Sequence, residues 1–240
     1  MKILNYLDMM SEKKIKIFII SKDRPIYLWN CLDSVYRLKS DHSEVILFDN
    51  ASNNETLEVI KSFDSRNLFK KLYLFNKNDK DIFHKTILHE NCGGEYFIFI
   101  ESDVEILTKN FDLILLKLME ENKSYGFIGS RIYKEDFHEI IDTNKNENRL
   151  LKKFSPEKNY NFDMSLKINN LQPPGRLVII KKSLFTNFNK PLNDSDFHNY
   201  VLQKNHKSGI STEVLHRHLS LLNYFDYPQY NMKNRNNYFN

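Results

Sequence analysis

Four short apolar runs, each followed by a polar break, fill roughly the first hundred residues, and no other feature constrains the fold of this 240-residue chain so tightly. Lys14 to Ile20 (KIKIFII) reads as a buried strand. SKDRP breaks it, and Pro25 suits the first turn of a helix carrying Trp29, Leu32, Val35 and Leu38. Glu44 to Phe48 (EVILF) is a second strand. The next helix has Leu57, Ile60 and Phe63 at helical spacing and Asn53 or Asn54 as its cap. Leu72 to Phe75 and Glu95 to Ile100 are the third and fourth strands, separated by a helix over 79–91 that runs into Gly93 and Gly94. This alternation implies right-handed crossovers and an α/β fold, with a mostly parallel central sheet covered on both faces by helices. Ligands of such sheets gather where the strands end. Three polar clusters fall there: SKDRP, DNASNN and ESDVE.

The second half is less regular. Phe111 to Met119 reads as a helix, Gly126 to Tyr133 and Arg176 to Ile180 as strands, Asp196 to Lys207 as a helix and Gly209 to Leu215 as a last strand. Residues 134–172 are polar, weakly patterned and too long for a simple connection, which makes them a candidate lid or acceptor-binding excursion. The division expected is one domain over 1–240: a regularly alternating half at about 14–107, a less regular half at about 108–220, and an aromatic tail at 221–240.

Charge and composition narrow the function classes. A net charge of +4, with Lys and Arg spread along the chain, fits an anionic small molecule better than nucleic acid. The two cysteines, Cys31 and Cys92, supply no disulfide framework and fit a reducing cytoplasm. Asp8 and Glu12 interrupt what a signal peptide would keep apolar, and no stretch of about 18 apolar residues is present. A soluble or at most peripheral protein is expected. The Tyr- and Phe-rich tail with Lys233 and Arg235 is either a strap packed on the domain or a membrane-surface contact.

In FIFIESDVEIL a buried strand runs into Glu101, Asp103 and Glu105. The plain reading is a solvated strand end, or acids at the positive end of a following helix. The sharper reading has Glu101 and Asp103 reaching one divalent cation that also holds phosphate oxygens; hard oxygen ligands suit Mg²⁺ or Mn²⁺. In DNASNNET the plain reading is a turn and a capped helix; the sharper one keeps Asn54 as cap and turns Asp49 toward a nucleobase N–H. Asp23 and Arg24 can line the same pocket. NDSD, with Asp194 and Asp196, is either a helix cap cluster or the site of a general base. His216 and His218 are expected to alternate along a strand and point to opposite sides, so that one at most, His216 by preference, faces a metal.

Taken together, IFIISKDRPIYLWNCLDSVYRL, VILFDNASNNET and FIFIESDVEI resemble the nucleotide-sugar half of the family 2 glycosyltransferases, which have the GT-A fold. RLVIIKKSLF, NDSDFHNYVLQKNHKSG and VLHRHLS continue the resemblance, which covers roughly residues 14–220. The resemblance implies a sugar transfer from a nucleotide-diphosphate donor to a glycan or lipid-linked acceptor, with inversion and with Mn²⁺ or Mg²⁺. Ser21, Asp23, Arg24, Asp49, Asn50, Glu101, Ser102 and Arg176 would then surround the donor, with Asp49 on the base. Asp103 would be the main metal ligand, with Glu101 and either His216 or His218. Asp194, failing that Asp196, would be the catalytic base. Departures from the family pattern are Glu101 for Asp, Ala51 for Gly, Asn54 for Asp and Asn193 for Glu. They leave room for a catalytically silent relative that binds or scaffolds. A sugar nucleotidyltransferase fits less well, because SKDRP lacks a phosphate-cradling glycine.

Overall fold

A computed structural model describes residues 15–79, 82–90, 94–133, 162–188, 190 and 192–219. The alternation is present from its first residue. β1 (Ile15–Ser21), β2 (Ser43–Asn50), β3 (Phe69–Phe75) and β4 (Tyr96–Glu101) pair in parallel in the order β3-β2-β1-β4. The connections are α1 (Pro25–Leu38), α2 (Asn54–Asp64) and α3 (Ile82–His89). The chain continues through β5 (Val104–Ile106), α4 (Phe111–Glu121), β6 (Tyr125–Ile132), β7 (Ile168–Asn169) and β8 (Leu177–Lys181). It closes with α5 (Lys182–Thr186), α6 (Asp194–Gln203) and β9 (Lys207–His218). The sheet extends as β4-β8-β6-β9-β5, with β7 paired to β9. This second half is mixed: β8 is antiparallel to β4 and β6, whereas β9 is parallel to β6 and antiparallel to β5 and β7.

The two faces of the sheet are chemically distinct. Ile17 and Ile19 of β1, Val45 and Leu47 of β2 and Ile98 and Ile100 of β4 form an aliphatic face. It packs on Leu28, Leu32 and Val35 of α1, Ile60 and Phe63 of α2, and Phe111 and Leu115 of α4. The opposite face carries Phe18, Phe48, Phe97, Phe99 and Phe127, against Phe185 of α5 and Phe197 of α6. Rings there meet edge to face, as with Phe18 and Phe97 (5.6 Å, 79°) and Phe127 and Phe197 (5.2 Å, 84°), the arrangement the ring quadrupole favours. Burial on both sides is why these strands read as unbroken apolar runs.

Local chemistry moves several expected boundaries. Asn53, not Asn54, caps α2: its side-chain oxygen accepts from the Thr56 N–H at 3.0 Å and from Thr56 Oγ1 at 2.8 Å. α6 starts at Asp194 rather than Asp196, because Asn193 Oδ1 accepts from the amides of Ser195 and Asp196. It stops at Gln203, two residues before Asn205 turns left-handed (φ 57°). After Glu101 no helix follows directly: two residues turn and the chain re-enters the sheet as β5. The expectations for residues 1–14, for Cys92, for most of the 134–172 excursion and for the 221–240 tail lie outside the described residues. Among the described residues, no helix is long and apolar enough to cross a membrane.

One buried charge pins the aromatic side. Glu90, just past α3, has a side chain only 2% exposed; it accepts from Lys71 Nζ at 2.8 Å, from the Tyr73 hydroxyl, and from Lys16 Nζ at 3.4 Å. Burial opposes its ionisation, but the bonds from Lys71 and Tyr73 hold its pKa below the ordinary value of 4.5. A depressed folded-state pKa contributes stability that is complete above the unfolded value and lost as pH falls through the folded one. Glu90→Ala should therefore lower unfolding free energy by about 2–3 kcal/mol at pH 7. The deficit against wild type should shrink below pH 4, as followed by urea denaturation. A deficit that persists undiminished in acid would contradict this account.

Candidate active site at the carboxyl ends of the strands

β1, β2 and β4 end side by side, because Ser21 is in register with Asp49 and Ile20 with Glu101. The chain leaves β1 through two left-handed residues, Asp23 (φ 52°) and Arg24 (φ 59°), and leaves β2 through a third, Ala51 (φ 62°). Non-glycine residues in this region are strained by about 1–2 kcal/mol each. Cross-ties hold the two elbows together: the Asp23 N–H donates to Ser52 Oγ (2.6 Å), the Asn53 N–H to Asp23 Oδ1 (2.8 Å), and Lys22 Nζ to the Ala51 carbonyl (3.1 Å). Asp49 Oδ2 accepts from the Ser52 N–H at 2.9 Å.

Asp103, 3% exposed, lies on the turn between β4 and β5. Its Oδ2 accepts from Arg24 at 3.2 Å and from His218 Nε2 at 3.2 Å. Burial opposes the charge, but His218, Arg176 and Arg24 hold the carboxyl well below the usual carboxylate range. Glu101 is the opposite case. Enclosure in the crevice raises it, Asp103 adds repulsion, and the ion pair with Arg176 only partly offsets them, so that it is pushed up to about 7.

β9 brings both histidines here. The expectation that they face opposite sides is overturned: residues two apart on a strand share a face. Val214, His216 and His218 are all buried, while Leu215 and Arg217 are half-buried between them. Ser130 Oγ donates to the Leu177 carbonyl (3.1 Å) and lies 2.7 Å from His216 Nδ1. Ser130 Oγ thus links the Leu177 carbonyl to the His216 ring. Burial pushes His216 down to about 3, with His218 and Arg176 adding to the shift, so the ring is neutral.

Asp194, in the first turn of α6, faces the same cluster: its charge acts on both Glu101 and Arg176. The Gly175 amide points at Asp194 Oδ2 from 3.5 Å. Asp196 is exposed, with its amide on the Asn193 cap. The structure thus brings Arg24, Glu101, Asp103, Arg176, Asp194, His216 and His218 into one charged group. Asp49 is not part of it. It stands at the same sheet edge two strands from Glu101, about 10 Å at ordinary strand spacing. Ser21 is beside it, half-buried Ser102 is on the Asp103 turn, and Asn50 is bound to Asn78 and Asp79 of the next loop. Sequence reasoning missed Ser130, Gln172 and Gly175. GFIGSRI and LQPPG carry no spacing that marks them, and their relevance comes from strands β6, β8 and β9 becoming neighbours.

Among the described residues, no three His, Cys, Asp or Glu side chains form a group that holds a metal ion unaided. The donor set nevertheless fits a cation that keeps water and substrate oxygens in its shell. Asp103 Oδ1 and His216 Nε2 are buried atoms without a hydrogen-bond partner among the described residues, and the carboxylate is held ionised. Asp49 Oδ1 and Ser21 Oγ are likewise buried and unpartnered at the other end of the crevice.

Comparison with known proteins follows this geometry. The sequence profile of Glycosyl transferase family 2 matches residues 16–185. No curated protein sequence matches the chain. Among solved structures, the mannosyltransferase PcManGT from Pyrobaculum calidifontis, in complex with GDP-Man and Mn²⁺, superposes with a TM-score of 0.60 at 14% identity, over 90% of this chain and 64% of that one. GalNAc-T7 with UDP, GalNAc and Mn²⁺ gives 0.58 at 13% identity, over 86% of this chain and 44% of the other. S. aureus TarS 1-349 gives 0.55 at 12%, over 84% and 60%. The chain spans less than two thirds of the length of each of these three.

Ala51 stands at φ 62°, in the region that favours glycine. Ala51→Gly should relieve the left-handed strain and, after the added flexibility of the unfolded chain, raise stability by up to about 1 kcal/mol. Denaturation midpoints measure it; a lowered midpoint would mean that the elbow is not strained.

Proposed function

The chain belongs to glycosyl transferase family 2 and has the GT-A fold, and on that premise we propose that it moves a sugar from a nucleotide-diphosphate donor to a hydroxyl acceptor, with inversion. The observation that supports this reading best is the gathering of Glu101, Asp103, Arg176 and Asp194 at one set of strand ends. Structures of the same fold holding GDP-Man or UDP with Mn²⁺ support a nucleotide donor and a divalent cation.

In the proposed arrangement Asp49 accepts from the base, with Ser21, Asp23, Arg24 and Asn50 around it. The span of about 10 Å from Asp49 to Glu101 leaves room for a nucleoside between them. Asp103, with Glu101 and an imidazole of His216 or His218, would hold the cation. A divalent cation there supplies charge that neutralises the departing diphosphate. Arg176 puts a fixed positive charge beside the same oxygens. Asp194 takes the proton from the acceptor hydroxyl as that oxygen attacks the anomeric carbon; the bond from that carbon to the diphosphate breaks on the opposite face. Asp194 is preferred to Asp196 because its charge acts on Glu101 and Arg176, whereas Asp196 is exposed. Residues 14–107 serve the donor and 108–220 the acceptor, a glycan or lipid-linked glycan. The product belongs to a polysaccharide or glycoconjugate made on the cytoplasmic side, at or near the membrane.

Two measurements test the assignment. In a thermal-shift screen of UDP, GDP, dTDP and CMP conjugates, one nucleotide should raise Tm strongly with Mn²⁺, and Asp103→Asn should abolish the Mn²⁺-dependent part. Asp194→Asn should keep that shift but lower transfer by about 10²- to 10⁴-fold. Full transfer by Asp194→Asn would remove it from the role of base, and Mn²⁺-independent binding would remove Asp103 from the role of ligand.

A further inference from the structure

The segment Gln172–Arg176 touches both ends of the charged group. Gln172 Nε2 donates to Ser195 Oγ at 2.8 Å, on the first turn of α6. Pro173 lies over Gly129 of β6, so close that a Cβ on Gly129 would stand 2.7 Å from the proline ring. Gly175 presents its amide to Asp194 Oδ2. Arg176 is ion-paired with Glu101, and its carbonyl accepts from the Glu101 N–H at 2.9 Å. Five consecutive residues thus bridge the end of β4 to the start of α6, and two of them are prolines with a fixed φ.

Gly175 is the informative position. Its φ is not positive, so backbone conformation does not demand a glycine there. Space does. A Cβ at residue 175 would stand 3.1 Å from Asp194 Cβ and 3.7 Å from its Cγ, and the neighbour it would push is Asp194 alone. The geometry points to Gly175, held by the Pro173–Pro174 brace seated on Gly129, as the positioning residue that sets where the Asp194 carboxyl stands relative to the Glu101–Arg176 pair. This inference rests on the reading of Asp194 as the base. Gly175 touches no reacting atom. It acts through Asp194, and its absent side chain lets the start of α6 lie against the segment that leads into β8.

The test compares Gly175→Ala, Gln172→Ala and Asp194→Asn with wild type. Turnover is read as nucleotide-diphosphate release from UDP-glucose, UDP-N-acetylglucosamine, GDP-mannose and dTDP-rhamnose with Mn²⁺, and crystal structures of wild type and Gly175→Ala accompany it. Gly175→Ala should lower kcat by up to about tenfold, since misplacing a reacting group by a full ångström can cost a hundredfold. Donor KM and the Mn²⁺-dependent thermal shift should stay within twofold and within about 1 °C of wild type, a split that loss of folding does not produce. The Asp194 carboxyl should be displaced by about 0.5 Å, the tolerance within which such groups must be held. Gln172→Ala, a half-buried change that inserts nothing, should lower kcat by a smaller factor with the same unchanged KM. Wild-type kcat in Gly175→Ala, with Asp194→Asn inactive, overturns the positioning role and leaves the base in place. An active Asp194→Asn removes the base and this inference with it. An unmoved Asp194 in the Gly175→Ala structure overturns the inference whatever the kinetics.

Discussion

Asp103 carries a negative charge in the interior, and the surrounding structure is arranged to make that tolerable. An isolated buried carboxylate costs several kcal/mol, and only well-placed partners offset it. Here one oxygen is shared between Arg24 and His218, which lie 79 and 115 residues away along the chain. The backbone joins in, since the Asp103 carbonyl accepts from the Leu219 N–H at 2.8 Å. One carboxylate thus ties the start of α1, the β4–β5 turn and the end of β9 into a single junction. The left-handed Asp23–Arg24 elbow accompanies this ion pair: it delivers the guanidinium to Asp103 while letting α1 begin at Pro25.

The rest of the site inherits its rigidity from the sheet. Glu101, Asp49 and Ser21 stand on strand ends whose register is fixed by parallel pairing, and a one-residue slip would exchange the aliphatic and aromatic faces. The two faces are filled by side chains of different shape, Ile and Leu against α1, α2 and α4, Phe against α3, α5 and α6. Such a slip therefore meets misfit on both sides. Acidic and basic groups placed on so stiff a frame need little reorganisation when charge develops on a leaving group.

Much of this was legible before any coordinates. Parallel β1 to β4, the Pro25 helix start and the clustering of polar residues at strand ends all follow from period and turn chemistry, which are local. What was not legible is local chemistry of finer grain or contact at long range. Asn53 and Asn54 are equally good caps on paper, and only the geometry of Thr56 separates them. The sequence leaves Asp103 either a solvated strand-end acid or a metal ligand; it is buried because β5 folds back against β9, a pairing between segments more than a hundred residues apart. His216 and His218, two residues apart, share the inner face of β9, because side chains alternate with a period of two. Ser130 and Gly175 have no motif; they matter because β6, β8 and β9 meet.

β9 sits inside the sheet, between β6 and β5, although it is the last of the described strands in chain order. The ribosome therefore finishes the four parallel strands long before it delivers the strand that supplies His216 and His218. Until then β5 and β6 present bare hydrogen-bonding edges, which attract any other unpaired strand. A nascent chain stalled before Lys207 would be left with the four parallel strands, an Asp103 that keeps Arg24 but lacks His218, and two adhesive borders, so quality control has a natural target in prematurely ended copies of this protein.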